Sequence, residues 1–221
     1  MTAPDPTRKT ARVLIVEDHP MFRERMAHLI NQTEDMEVCG ETDNIRDAMQ
    51  LVHAVKPHIA IVDISLKGSS GLEFIKNLKA QGIDLPVVVL SMHEESLYAE
   101  RVLAAGGKGY LTKRETSATV LRALRRVLDG DVFLSEAMTA TMLKRVAGKV
   151  ATVSAIDRLA DRELEVFQLI GSGHSTREIA EDLALGVATV ETYRTRIKEK
   201  LGLRNATELQ HHASLWFREH G

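Results

Sequence analysis

Four places in the chain put chemically competent side chains directly after short apolar runs. Arg12 to Val16 runs into Glu17-Asp18, Ile59 to Val62 into Asp63, and Pro86 to Leu90 into Ser91. Lys108 to Leu111 is followed by Lys113. Short β-branched runs read as strands buried on both faces. Polar groups at their carboxyl ends lie where open α/β sheets place a ligand crevice. Carboxylates gathered on one edge repel each other unless a divalent cation is bound, and hard oxygen ligands suit Mg²⁺. A hydroxyl and an ammonium beside them suit the oxygens of a phosphoryl group.

The elements that would hold these residues are legible in the spacing. Phe22, Met26, Leu29 and Ile30 recur at helical intervals, and so do Ile45, Ala48, Met49 and Val52. Leu72, Ile75 and Leu78 do the same after Gly71, and a further helix is expected from about Glu95 to Ala104. Val120, Leu121, Leu124, Val127 and Leu128 give the last, closed by Gly130. With Met36 to Glu41 as another strand, five βα units predict a doubly wound, five-stranded parallel sheet of flavodoxin-like type.

Composition sets the outer bounds. At 221 residues the chain suits two small domains, and 44% hydrophobic with 27% charged residues describes an ordinary soluble protein. The single Cys39 cannot form an internal disulfide and reads as core filler, which fits a reducing cytoplasm. No apolar run approaches the roughly 18 residues of a membrane span. Met1 to Thr10 is polar with two prolines and predicts a disordered tail. Net charge is −2, and residues 155–221 hold 9 Lys+Arg against 11 Asp+Glu, so any nucleic-acid contact must come from local arrangement.

From Ile156 the strand signals stop and the pattern is all helical. Ser135 to Ala147 predicts a helix, and Gly148 to Ala155 an unpatterned linker. Ser175-Thr-Arg-Glu178 is a capping box, and Asn205-Ala-Thr-Glu208 opens the last helix in the same way. Between them lie a short helix, a tight turn at Ala184 to Gly186 and a long helix, which is helix-turn-helix spacing. On a wheel of about 100° per residue, Val190, Ile197 and Leu201 cluster on one side of the long helix, with Tyr193 flanking. Glu191, Thr192, Thr195 and Arg196 face away, and such a polar face can enter a major groove.

The set Glu17-Asp18, Asp63, Ser91, Tyr110 and Lys113 resembles the receiver domain of two-component response regulators. That resemblance implies that Asp63 accepts a phosphoryl group from the phosphohistidine of a sensor histidine kinase. It implies that Asp18, Asp63 and the carbonyl of Ser65 hold Mg²⁺, with Glu17 acting directly or through water. Ser91 and Lys113 would bind phosphoryl oxygens, and Tyr110 would be the aromatic that reports the state. Lys67 departs from the proline common in receivers without removing a ligand. A carboxylate is a competent nucleophile toward phosphorus once charge repulsion is offset.

Leu159 to Phe167, Glu178-Ile-Ala180, Thr189 to Ile197 and Lys200-Leu-Gly202 resemble the LuxR/NarL-type output domain. Base contacts implied by that family fall on Glu191, Thr192 and Thr195, and phosphate contacts on Arg177, Arg196 and the amino end of the helix opened by Ser175. Ala160 and Gly186 stand where the family usually has Ser or Thr caps. Together the two resemblances imply a receiver at 10–131, a linker helix and linker at 132–154, and a DNA-binding domain at 155–219. The expected protein is a cytoplasmic, phosphorylation-dependent transcription regulator, a homodimer when phosphorylated, that binds double-stranded DNA and no membrane. A phospho-switch whose helical domain docks a protein partner is the alternative.

Turnover chemistry is not expected. Haloacid-dehalogenase-like phosphatases share a strand-end Asp but need a second Asp two residues on, where Ser65 stands. Gly106-Gly-Lys-Gly109 is no P-loop, because Lys108 lacks a following Ser or Thr. The scattered His19, His28, His53, His58 and His93 suggest no metal site of their own.

Overall fold

The computed structural model describes residues 10–93, 95–147 and 155–220, so all of the expected N-terminal tail but Thr10 and all of the expected linker but Ala155 lie outside the described residues. The chain divides into two compact units, one ending at Ser135 and one beginning at Glu136. In the first, strands β1 (Ala11–Val16), β2 (Met36–Thr42), β3 (Ile59–Val62), β6 (Val87–Ser91) and β7 (Gly109–Thr112) form one sheet. Its order is β2-β1-β3-β6-β7 and every pairing is parallel. Helices α1 (Pro20–Asn31), α2 (Ile45–Val55), α3 (Gly71–Ala80) and α4 (Glu95–Ala105) make the crossovers, and α5 (Ser117–Leu128) follows the last strand. This is the five-unit, doubly wound α/β architecture the spacing predicts.

The central strands are apolar throughout because both faces are covered. Val13 to Val16 and Ile59 to Val62 are all buried. Ile15, Ile61, Val88 and Leu90 pack with Met26 and Ile30 of α1 and with Val120, Leu124 and Val127 of α5. Phe133 joins that cluster and pairs with Gly109 along the sheet edge, so the packing of the first unit continues past the end of α5. Strand order reverses at β1/β3, which opens a crevice above the carboxyl ends of these two strands.

A small antiparallel hairpin, β4 (Ser65–Leu66) and β5 (Ser69–Ser70), shapes the rim of that crevice. Lys67 and Gly68 turn it, and Gly68 takes a left-handed φ of 74°. Lys67 therefore only caps a solvent-side turn. Gly71 returns the chain under Asp63 so tightly that a β-carbon would stand 2.2 Å from the Asp63 carbonyl oxygen. The glycine is required by that close approach.

The second unit is helical: α6 (Glu136–Val146), a short 3-10 turn (Ala155–Arg158), α7 (Asp161–Gly171), α8 (Thr176–Asp182), α9 (Val187–Leu201) and α10 (Ala206–His220). Ser175 and Glu178 cap α8 reciprocally, as the capping box predicts. At α10 the pattern differs: Asn205 Oδ1 takes the Glu208 N–H, while Glu208 takes the N–H of Arg204 instead of Asn205. Ala160 supplies no capping oxygen, but Glu163 accepts its N–H and pairs with Lys200 Nζ at 2.6 Å. Ala184, at φ 49°, makes the turn between α8 and α9. Among the described residues no helix is long and apolar enough to cross a membrane.

Candidate functional site

Asp63 directly follows β3 and is only 3% exposed. Its surroundings come from the ends of neighbouring strands, so sheet order alone brings them together. Lys113, just past β7, places Nζ 2.8 Å from Asp63 Oδ2 and 2.7 Å from Glu17 Oε2. The ammonium also sits 4.6 Å from the centre of the Phe22 ring, a cation–π contact that helps fix it. Burial raises the Asp63 carboxyl to about 6; Lys113 opposes the rise and the charge of Glu17 adds to it. At neutral pH the group is an ionised but unusually basic carboxylate.

Glu17, Asp18, Asp63 and His19 place one ligand atom each within 4.8 Å of one another. The Asp18 side chain is only 7% exposed, yet its Oδ1 accepts no hydrogen bond. His19 Nδ1 stands 2.8 Å from that oxygen but is hydrogen-bonded to Glu17 Oε1 at 3.0 Å. A buried carboxylate oxygen that accepts no hydrogen bond, among other carboxylates, is the donor chemistry a small hard cation satisfies. The residues present therefore fit a divalent metal. The exposed His19 lies at the edge of this cluster because it directly follows Asp18 in the same loop.

Ser65 opens the hairpin beyond Asp63, and its N–H donates to Asp63 Oδ1 at 3.3 Å. Its side chain leads elsewhere: Ser65 Oγ is 2.8 Å from His93 Nε2. The His93 N–H in turn donates to Oγ of the fully buried Ser91, and the buried Tyr110 hydroxyl donates to the His93 carbonyl at 2.8 Å. The loop after β6 is thus tied both to the Asp63 hairpin and to the aromatic inside the fold. Burial first, and the Lys113 charge second, push the His93 ring down to about 4, so it is neutral at pH 7. The direct tie between Ser65 and His93 is what spacing does not reveal, although His93 lies only two residues from Ser91.

Met92, between them in sequence, is 59% exposed and is no core residue. It lines a surface pocket of about 470 Å³ with His19, Met21, Phe22, Arg25 and Lys113.

In the second unit, α9 buries Val190 and Ile197 and turns Glu191, Thr192, Thr195 and Arg196 to solvent, as the wheel predicts. Arg177, in the first turn of α8, is also exposed. Thr192 Oγ1 donates back to the Ala188 carbonyl at 3.0 Å, so its donor is spent within the helix. Glu191 is not a loose surface carboxylate: Thr176 Oγ1 donates to its Oε1 at 2.9 Å, a contact between two helices that spacing alone does not reveal.

Comparison with known proteins follows the same division. Residues 13–125 match the response regulator receiver domain, and residues 157–213 match the bacterial regulatory proteins of the luxR family. The chain is similar to the response regulator GacA of Pseudomonas aeruginosa, 30% identical over 90% of this chain and 92% of that protein. It is similar to BvgA, the virulence-factor transcription regulator of Bordetella pertussis, at 35% identity over 90% of this chain and 94% of that one. Among solved structures, RcsB of Salmonella enterica serovar Typhimurium, bound to a promoter in the presence of a phosphomimetic, aligns over 93% of this chain and 99% of its own. That alignment has a TM-score of 0.63 at 25% identity.

Proposed function

Because the chain belongs to the two-component response regulators with a LuxR-type DNA-binding domain, we propose that phosphorylation of Asp63 by a sensor histidine kinase controls its dimerisation and promoter binding. One observation carries this reading. A buried, unusually basic Asp63 shares the Lys113 ammonium with Glu17, beside an Asp18 oxygen that has no hydrogen-bond partner. Charge is prepared there for an incoming anion and its counter-cation.

In the transfer, an Asp63 carboxylate oxygen attacks the phosphorus of a phosphohistidine in line with the leaving imidazole. A P–O bond forms, the P–N bond breaks, and the imidazole takes up a proton. Lys113 offsets the charge that arrives, and Ser91, whose Oγ already accepts from the His93 N–H, keeps its own hydrogen to donate to a phosphoryl oxygen. Glu17, Asp18, Asp63 and the Ser65 carbonyl are the ligands we assign to Mg²⁺, which when bound neutralises charge on the phosphoryl oxygens. His93 and Tyr110 transmit the change, because moving Ser91 toward the phosphoryl group disturbs the loop to which the Tyr110 hydroxyl is bonded.

On DNA, we assign Glu191, Thr192 and Thr195 to base edges in the major groove. Arg177, Arg196 and the amino end of α8 are assigned to phosphates. RcsB has been solved bound to promoter DNA, and we carry that binding mode to this chain. We take the domains as 10–131 and 155–219, joined by the segment between, in a cytoplasmic protein.

The test is to incubate the purified chain with a small phosphodonor and Mg²⁺ and to measure intact mass and duplex binding. A base-labile mass gain of one phosphoryl group is expected for wild type and lost in Asp63→Asn. Labelling of that variant at the wild-type level overturns the assignment.

A further inference from the structure

We propose that Thr176 is a specificity-determining positioning residue, which holds the Glu191 carboxylate so that one oxygen is presented to a base edge. The proposal rests on reading α9 as the groove-reading helix, and adds a residue outside that helix to the recognition surface.

Three features of the contact carry it. Thr176 is the first residue of α8 and Glu191 lies on the outward face of α9, so the Oγ1–Oε1 bond of 2.9 Å joins two separate helices. The Arg194 Nε approaches the same oxygen, at 3.7 Å. Both protein donors therefore converge on Oε1, and Oε2 has no hydrogen-bond partner among the described residues. A carboxylate held by one oxygen leaves the other as a directed acceptor. The cytosine N4 amine is the donor in the major groove that such an acceptor reads.

The side chains suit these roles. Glu191 is more than half exposed, and left alone it would populate many rotamers, all but one of which must be given up at a base. Threonine is stiff at its first side-chain torsion, so it acts as a fixed post. Thr192, four residues from Ala188 within α9, spends its hydroxyl on the helix backbone. Thr176 stands at the first turn of α8, where no helical carbonyl precedes it, and its hydroxyl reaches across instead. The cap of α8 is supplied by Ser175 and Glu178, so changing Thr176 leaves that cap in place.

The experiment uses the purified full chain and duplexes selected from a randomised library. The bound consensus and each of its single base-pair variants are then titrated by fluorescence anisotropy with wild type, Glu191→Ala, Thr176→Val, Thr176→Ser and the double variant Thr176→Val/Glu191→Ala. Thr176→Val keeps the side-chain shape without the hydroxyl. Its discrimination is expected to fall roughly threefold to tenfold at the base pair where Glu191→Ala loses it, the scale of one ordinary solvent-accessible hydrogen bond. Thr176→Ser should retain discrimination, and the double variant should lose no more than Glu191→Ala alone. Equal weakening on every duplex with discrimination intact, or an unchanged profile for Thr176→Val, overturns the proposal. If Glu191→Ala itself keeps the wild-type profile, base reading by Glu191 fails and takes this inference with it. A wild-type chain that binds no duplex sinks the proposed function itself, a distinct result.

Discussion

Asp63 combines burial with a neighbouring ammonium, and its acidity makes the balance measurable. Its pKa of about 6 lies above the usual value of an unfolded aspartate near 4. Between those values the folded chain holds a proton that the unfolded chain has released. The stability contributed by this group is therefore complete below about pH 4 and is lost as pH rises through 6. Asp63→Asn, which cannot ionise, should be more stable than wild type by roughly 1–3 kcal/mol at pH 7.5 without divalent cations, and nearly equal at pH 4. Thermal melts in a chelator at the two pH values check this; a variant no more stable than wild type at pH 7.5 contradicts it. Met92 gives a second expectation at this scale. It stands beside Lys113 at the mouth of the site and is too exposed to support the core. Met92→Ala should admit water to the acyl phosphate and shorten its lifetime severalfold, with little change in melting temperature. An unchanged decay time course, measured beside a melting curve, removes Met92 from that role.

At the scale of elements, α9 separates its work by face. Val190 and Ile197 anchor it, while its outward residues divide into a carboxylate suited to a base donor and a guanidinium suited to phosphate. Glu191→Ala should relax preference at one base pair. Arg196→Ala should weaken every site alike and lower the slope of log affinity against log salt by about 1. Titrations at several salt concentrations measure both, and equal shifts on all duplexes by both variants would refute the division. The same scale explains the loop after β6. Ser91, His93 and Tyr110 are linked by hydrogen bonds, which join the end of β6 to the buried aromatic of β7.

For the whole molecule, the expected signal is a change of assembly. Leu209 and Ala213 of α10 are fully buried, and Trp216 packs edge-on against Phe167 of α7. The apolar positions of α10 are thus largely consumed inside its own domain. Leu215, at 40% exposed, stays at the surface of that helix. Light scattering during size exclusion should show a monomer without phosphodonor and a dimer with it, and the dimer should prefer an inverted repeat to a single half-site. A phosphorylated chain that stays monomeric while binding its repeat with full affinity would count against phosphorylation-controlled dimerisation.

The apolar runs and the residues that end them determined the sheet and the cluster on its carboxyl edge, because strand burial and parallel order follow from local pattern and crossover geometry. Glu17, Asp18, Asp63, Ser91 and Lys113 were legible for that reason: each lies at the carboxyl end of a strand or within two residues of it. The face of α9 was legible too, since helical period alone sorts Val190 and Ile197 from Glu191 and Arg196. What only the tertiary structure decided are contacts between segments distant in sequence. The tie of Ser65 to His93 spans 28 residues, and that of Thr176 to Glu191 spans 15. The seat of Lys113 over Phe22 and between two carboxylates has the same origin. Such contacts depend on loop paths and side-chain rotamers, which no periodicity encodes, and here they set which oxygen is free and which proton is bound.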